Sequence, residues 1–240
     1  QREAQTASSL NHPHIVTVHD AGEVAGRQYL VTEYIDGGTL KDWARSAGAR
    51  RTWRETVELL VGVADALSTA HGAGILHRDI SPDNILLDAD GNPTLIDFGA
   101  AREEASRETR AVSAVLVVKD GYSPHEFYVA GGQQQPCSDL YALGATIYHL
   151  ISGEAPPNSQ TRVAALTNNE NDPYVPLSGR FTQYESSFLE AIDKSLSVPP
   201  KDRIASAKGW LSLIETESKK VKMVKMPEAR TVSKTLSELV

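Results

Sequence analysis

Cysteine is all but missing. The 240 residues hold one, Cys137, so an internal disulfide is excluded and a reducing compartment, the cytoplasm, fits best. Its setting suits a small core or loop residue rather than a nucleophile. Long apolar runs are lacking as well: no window approaches about 18 consecutive apolar residues, so no stretch reads as a membrane-spanning helix. Basic excess is absent, with 24 Lys+Arg against 31 Asp+Glu and a net charge of −7, which argues against a general nucleic-acid binder. No signal-peptide pattern opens the chain. His12, His14, His19, His71, His125 and His149 show no ligand spacing, so zinc is not expected. The first residue is Gln1 rather than Met, within a stretch that already looks helical, and a further piece is expected upstream.

What is present is 40% apolar sequence, enough for one large domain or two modest lobes. Residues 1–10 read as the end of a helix, which Asn11-His12-Pro13 stops. HIVTVHD (14–20) and QYLVTEY (28–34) read as an antiparallel strand pair around the turn GEVAGR. Asp36-Gly37-Gly38 ends the second strand and leads into a short helix. Thr52 and Glu55 have capping-box spacing ahead of Val57, Leu60, Val61, Ala64 and Leu67 at helical period, and His71-Gly72-Ala73-Gly74 closes that helix. ILL (85–87) and TLI (94–96) flank Asp90-Gly91 as a hairpin. Asp88-Ala89-Asp90-Gly91 imitates a calcium loop, but its Gly is misplaced and Gly99 stands where such a loop needs Glu. Residues 100–122 are polar and irregular. Asp139 to Ile151 is apolar all round, hence a buried helix, ended by Gly153. Phe188, Leu189, Ile192 and Leu196 mark another helix, and Trp210, Leu211 and Ile214 a last one. Trp43, Trp53 and Trp210 read as packing residues.

The chemistry gathers in HRDISPDN (77–84) and in Asp97-Phe98-Gly99. Phosphoryl transfer from a nucleotide needs a divalent ion held by hard oxygen ligands and a carboxylate beside the acceptor hydroxyl. Asp79 suits the last task, and Asn84 and Asp97 suit the metal. The two strands between Asn84 and Asp97 fold back on each other, which brings those two residues together.

On these motifs the chain resembles the protein kinase superfamily, and most the bacterial Ser/Thr kinases related to eukaryotic ones. HRD with Asn five residues beyond the Asp, followed by DFG, carries the resemblance, which runs from Gln1 to about Glu217. It implies an α+β, two-lobe fold: the remainder of a small β lobe over 1–35, a mainly helical large lobe over 36–218, and a flexible tail or linker over 219–240. It implies ATP and Mg²⁺ as cofactors, with Mn²⁺ also acceptable, and a protein Ser or Thr hydroxyl as acceptor. Residue by residue, Asp79 would be the base, Asn84 and Asp97 the metal ligands, and Arg78 the contact to a phosphorylated activation loop carrying Ser106, Thr109 and Ser113. Glu3 would pair with a phosphate-binding Lys, Thr32 would be the gatekeeper, Glu33, Tyr34 and Ile35 the hinge that binds adenine, and Leu86 its floor. Ala7, Val18, His77 and Phe98 would stack as an apolar spine. Ser123-Pro124-His125-Glu126 stands in for the APE motif, with Glu126 pairing with Arg203, and Asp139 is the buried anchor opening the central helix.

Two departures from that pattern matter. The sequence holds no Gly-rich phosphate loop and no strand with the phosphate-binding Lys; both are expected upstream, and without them the chain is expected to bind ATP weakly and transfer phosphate poorly. Position 81 is Ser where the family carries Lys, and Lys119, in VVKDGYSPHE, is expected to reach the space that Ser81 leaves. The alternative to a working kinase is a pseudokinase or scaffold using the large lobe for protein interaction; a small-molecule phosphotransferase ranks last, because HRD, DFG and an APE-like segment occur together. Ser81 and Asp83 differ from the Arg of the tyrosine-directed branch. The substrate protein and the oligomeric state are not legible, no membrane segment is present, and the Lys-rich tail resembles a linker toward a membrane anchor in a longer parent protein.

Overall fold

The structure is a computed structural model, and it describes residues 10–46, 53–98 and 118–214. Glu3, Ala7, Thr52, Gly99, Ser106, Thr109 and Ser113 lie outside the described residues, as does the side chain of Trp53. Strands β1 (Val18–Val24) and β2 (Arg27–Thr32) form an antiparallel hairpin. Its turn is the two residues Ala25 and Gly26, both at positive φ (52° and 75°), the geometry that matches strand twist. The sequence reading placed this turn across 22–27; the strand instead continues through Gly22 and Glu23 to Val24. The first half of the expected strand does something else. Val16 N–H donates to Leu95 O (2.9 Å) and Leu95 N–H to His14 O (2.9 Å), so residues 14–16 dock alongside a later strand before β1 begins.

Helix α1 (Leu40–Ser46) follows, then α2 (Trp53–Gly72), whose Leu60, Val63, Ala64 and Leu67 are wholly buried. Gly74, at φ 75°, takes the chain out of α2. Strands β3 (Ile85–Leu87) and β4 (Pro93–Leu95) pair antiparallel, with Ile85 opposite Leu95. The rejected calcium loop is the turn between them: Asp88 Oδ1 accepts the N–H groups of Asp90 (3.0 Å) and Asn92 (2.7 Å).

Helix α3 (Pro136–Ser152) starts three residues earlier than its apolar run, because Pro suits a first helical turn and Gln135 and Ser138 cap each other's backbone. It is buried on nearly every side, as its composition requires, and Gly153 at φ 86° ends it. α3 packs on α2 and on α5 (Ser186–Ser195). Helix α4 (Ser159–Thr167) was not legible in the sequence, since SQTRVAALT has little apolar face; its start is set by Asn158, whose side chain accepts Gln160 N–H at 2.7 Å. A final helix, α6, spans 207–214 and buries Trp210 completely. Trp43 packs at the edge of the same core, and Cys137 is buried.

Candidate active site

The loop 77–84 is held from below by one buried carboxylate. Asp139, in the first turn of α3, accepts His77 N–H (2.9 Å) and Arg78 N–H (2.8 Å), and its Oδ2 also bonds His71 Nε2 of α2 (2.8 Å). A helix N-terminus is where a buried negative charge is best tolerated. His77 ties this loop to the hairpin. Its Nδ1 accepts Asp79 N–H (3.2 Å), so its Nε2 must carry the proton that bonds Ile96 O (3.0 Å). Burial holds the imidazole below its ordinary pKa of 6.5, against the nearby charges of Asp139, Asp79 and Asp97, so the ring is neutral. It also packs on Phe98, with centroids 4.7 Å apart.

Asp79 is fixed on both oxygens. Asn84 Nδ2 donates to its Oδ2 (3.0 Å) and to its carbonyl (2.8 Å), while Lys119 Nζ lies 3.2 Å from its Oδ1. Lys119 also donates to Ser81 Oγ at 2.8 Å. Ser81 is wholly buried, and the turn that follows Lys119 is closed by Tyr122 and Ser123 N–H on its carbonyl. The lysine thus fills the space beside the short side chain at position 81. An ammonium carries three donors, and Ser81 Oγ and Asp79 Oδ1 both lie within its reach.

Asp97 comes to the same place through the backbone: Ile96 N–H donates to Asn84 O (3.1 Å), which sets Asp97 next to the loop's last residue. Asp97 is exposed. Arg78 and Asp97 both adopt positive φ (70° and 61°), a conformation that costs about 1–3 kcal/mol and concentrates at functional sites. Asn84 and Asp97 supply hard oxygen donors suited to Mg²⁺, which takes few protein ligands and keeps the rest of its shell for phosphate and water.

At the edge of the site Thr32 closes β2. Glu33 N–H donates to Thr17 O (3.0 Å), and Thr17 N–H to Glu33 Oε1 (2.6 Å). The chain passes Tyr34, which is largely exposed, and Ile35, and then joins β3: Gly37 N–H donates to Leu87 O (2.9 Å), and Thr39 bridges Leu86. Gly37 approaches so closely that a β-carbon there would strike that carbonyl. The segment after β2 therefore runs onto β3 beside Leu86 and Leu87.

Glu126 and Arg203 form a buried two-point pair (2.6 and 3.0 Å), and Ser138 Oγ donates to Glu126 Oε1 at 2.7 Å. Burial raises the Glu126 carboxyl, but the Arg203 and Ser138 hydrogen bonds and the Arg203 charge outweigh it and hold the group below the usual range. Three partners escaped the sequence reading: His71 and Ser138, and the Lys41–Asp83 pair at 2.8 Å. Each joins residues whose separation in the chain gives no local signal.

Residues 1–212 match the model of the protein kinase domain. The chain is 32% identical over 213 residues to the serine/threonine-protein kinase PknB of Mycobacterium tuberculosis, covering 86% of this chain and 34% of that protein. It is 37% identical over 164 residues to the serine/threonine-protein kinase PrkC of Bacillus subtilis, covering 68% and 25%. A solved structure titled "PpkA-294 apo form" superposes with a TM-score of 0.76 at 33% identity, over 89% of this chain and 72% of that one. The chain spans about a third of the length of the PknB proteins it matches. On the domain match over residues 1–212 and the likeness to these serine/threonine kinases, the chain belongs to the protein kinase family, within its bacterial serine/threonine branch.

Proposed function

We propose that this chain is the phosphate-transferring part of a serine/threonine protein kinase, moving the γ-phosphate of ATP onto Ser or Thr hydroxyls of a protein. The observation that carries the reading is the meeting of Asp79, Asn84, Ser81 and Lys119 within hydrogen-bond distance, with Asp97 tied alongside through Ile96. Asp79 is the base: its carboxylate, steered by Asn84 and Lys119, takes the proton of the acceptor hydroxyl. Asn84 turns its amide N–H₂ to Asp79, which frees its carbonyl oxygen for Mg²⁺ together with Asp97; Mn²⁺ would serve in the same place. When bound, that ion neutralises phosphate charge. Lys119 replaces the missing lysine at position 81 and aims its remaining N–H at the transferring phosphate. Ser81 holds that ammonium in place.

Thr32, Glu33, Tyr34 and Ile35 border the adenine, with backbone groups of 33–35 bonding its edge and Leu86 below the ring. Glu3, which lies outside the described residues, is assigned as the partner of a phosphate-binding lysine. Arg78 answers phosphate on the loop that carries Ser106, Thr109 and Ser113. His77, Phe98 and Asp139 hold the two motifs in register, and Glu126–Arg203 fixes the segment beyond Lys119. A reducing cytoplasmic setting is consistent with one buried cysteine outside any disulfide. Among the described residues, no helix is long and apolar enough to cross a membrane.

The test is phosphate transfer from γ-labelled ATP with Mg²⁺ by the full protein, followed by phosphoamino-acid analysis. Phosphoserine or phosphothreonine is expected, abolished together by Asn84→Ala and Asp97→Ala. Transfer that survives both substitutions contradicts the assignment.

A further inference from the structure

A groove of about 850 Å³, lined by no residue of the loop 77–84, lies between α2, the β3–β4 turn, α1 and the end of α6. Its floor is apolar, with Trp43, Val57, Val61 and Ile214. Its rim carries five carboxylates: Glu55, Glu58 and Asp65 from α2, and Asp88 and Asp90 from the turn. No Lys or Arg is among the described residues lining it. Arg54 bonds Glu58 at 2.8 Å and His12 Nε2 lies 3.1 Å from Asp65 Oδ2, but Arg54, Glu58 and Asp65 are solvent-exposed, so these contacts offset little of the rim's field. None of these groups takes part in the proposed phosphate transfer.

Ile214, the last described residue, itself lines the floor of the groove. Five residues on, the sequence reads Lys219-Lys220-Val221-Lys222-Met223-Val224-Lys225-Met226. A link of that length spans at most about 18 Å. The segment mirrors the groove: four lysines for the carboxylate rim, and two valines with both of the chain's methionines for the apolar floor. Methionine adapts its shape to irregular apolar surfaces. Tethering at Ile214 also makes the encounter intramolecular, at an effective concentration on the order of millimolar.

We propose that residues 219–226 dock in this groove, on the same molecule, with the lysines against the Glu55/Glu58/Asp65/Asp90 rim and the valine and methionine side chains on the floor. The interaction is electrostatically steered, and added salt weakens it. It is independent of whether the kinase reading holds.

The experiment is zero-length carbodiimide cross-linking of the full chain, with peptide mapping of the monomer band. Links from Lys219, Lys220, Lys222 or Lys225 to Glu55, Glu58, Asp65 or Asp90 are expected, and they should be lost in about 0.5 M salt. A second measurement compares backbone hydrogen exchange over 55–65 and 88–92 in the native chain and in a K219E/K220E/K222E/K225E variant; exchange should rise at both segments of the variant. Three outcomes overturn the proposal: tail links spread without preference over other carboxylates, rim links confined to a cross-linked dimer, or exchange at the groove unchanged by the four substitutions.

Discussion

Lys119 donates to Ser81 and lies 3.2 Å from Asp79, and we propose that Lys119 and Ser81 together stand in for the lysine that the family carries at position 81. A preorganised cation is worth most where charge develops in the transition state, and losing one such group costs on the order of 10²–10³ in rate. A hydroxyl that only holds that cation is worth less. In the full protein, Lys119→Ala is therefore expected to lower kcat by about that range, and Ser81→Ala by a clearly smaller factor, with KM for ATP little changed in the latter. Steady-state kinetics on the two variants checks this; equal losses contradict the division of labour. His77 offers a second residue-scale test. Its folded-state pKa lies below the ordinary 6.5, because burial disfavours the imidazolium. The stability this contributes is present above pH 6.5 and is lost as pH falls through the lower folded-state value. Imidazole ¹⁵N shifts should show the Nε2–H form persisting below pH 6.5, while denaturant stability declines over the same range.

At the scale of elements, the Glu126–Arg203 pair joins the segment that carries Lys119 to the 3₁₀ turn at Pro200–Asp202 and, through Ser138, to α3. Removing one charge from a buried, hydrogen-bonded pair costs about 3–5 kcal/mol, because the other is left uncompensated. Glu126→Gln should show a loss of that size in chemical denaturation. The native pair contributes stability above the ordinary glutamate pKa of 4.5, and that stability is lost as pH falls through the depressed folded value; the variant should lack this acid step. This pair was legible in the sequence only through the resemblance. The helices α2 and α3 and the β3–β4 hairpin were legible from periodicity and turn chemistry alone. What was not legible depended on distant partners. Residues 14–16 alternate like a strand but spend their hydrogen bonds on β4, which lies some 80 positions away. α4 forms on a cap and on burial of Ser159 and Arg162, and its composition carries no periodic face. His71 has no motif of its own, and its bond to Asp139 crosses from α2 to α3.

At the scale of the molecule, a helical body centred on α3 presents one loop and one hairpin at a common edge. Asp139 fixes the loop, His77 joins it to the hairpin, and Lys119 enters from a third segment. The chemistry requires all three at once, since the base, the metal oxygens and the cation come from different stretches of chain. The most direct measurement is single-turnover phosphate transfer from ATP and Mg²⁺ by the full protein, with Asp79→Asn beside the native form and folding checked by thermal melting. The account predicts a native-like melt with transfer slowed by about 10²–10⁴ for Asp79→Asn; transfer at the native rate in a well-folded Asp79→Asn protein would contradict it.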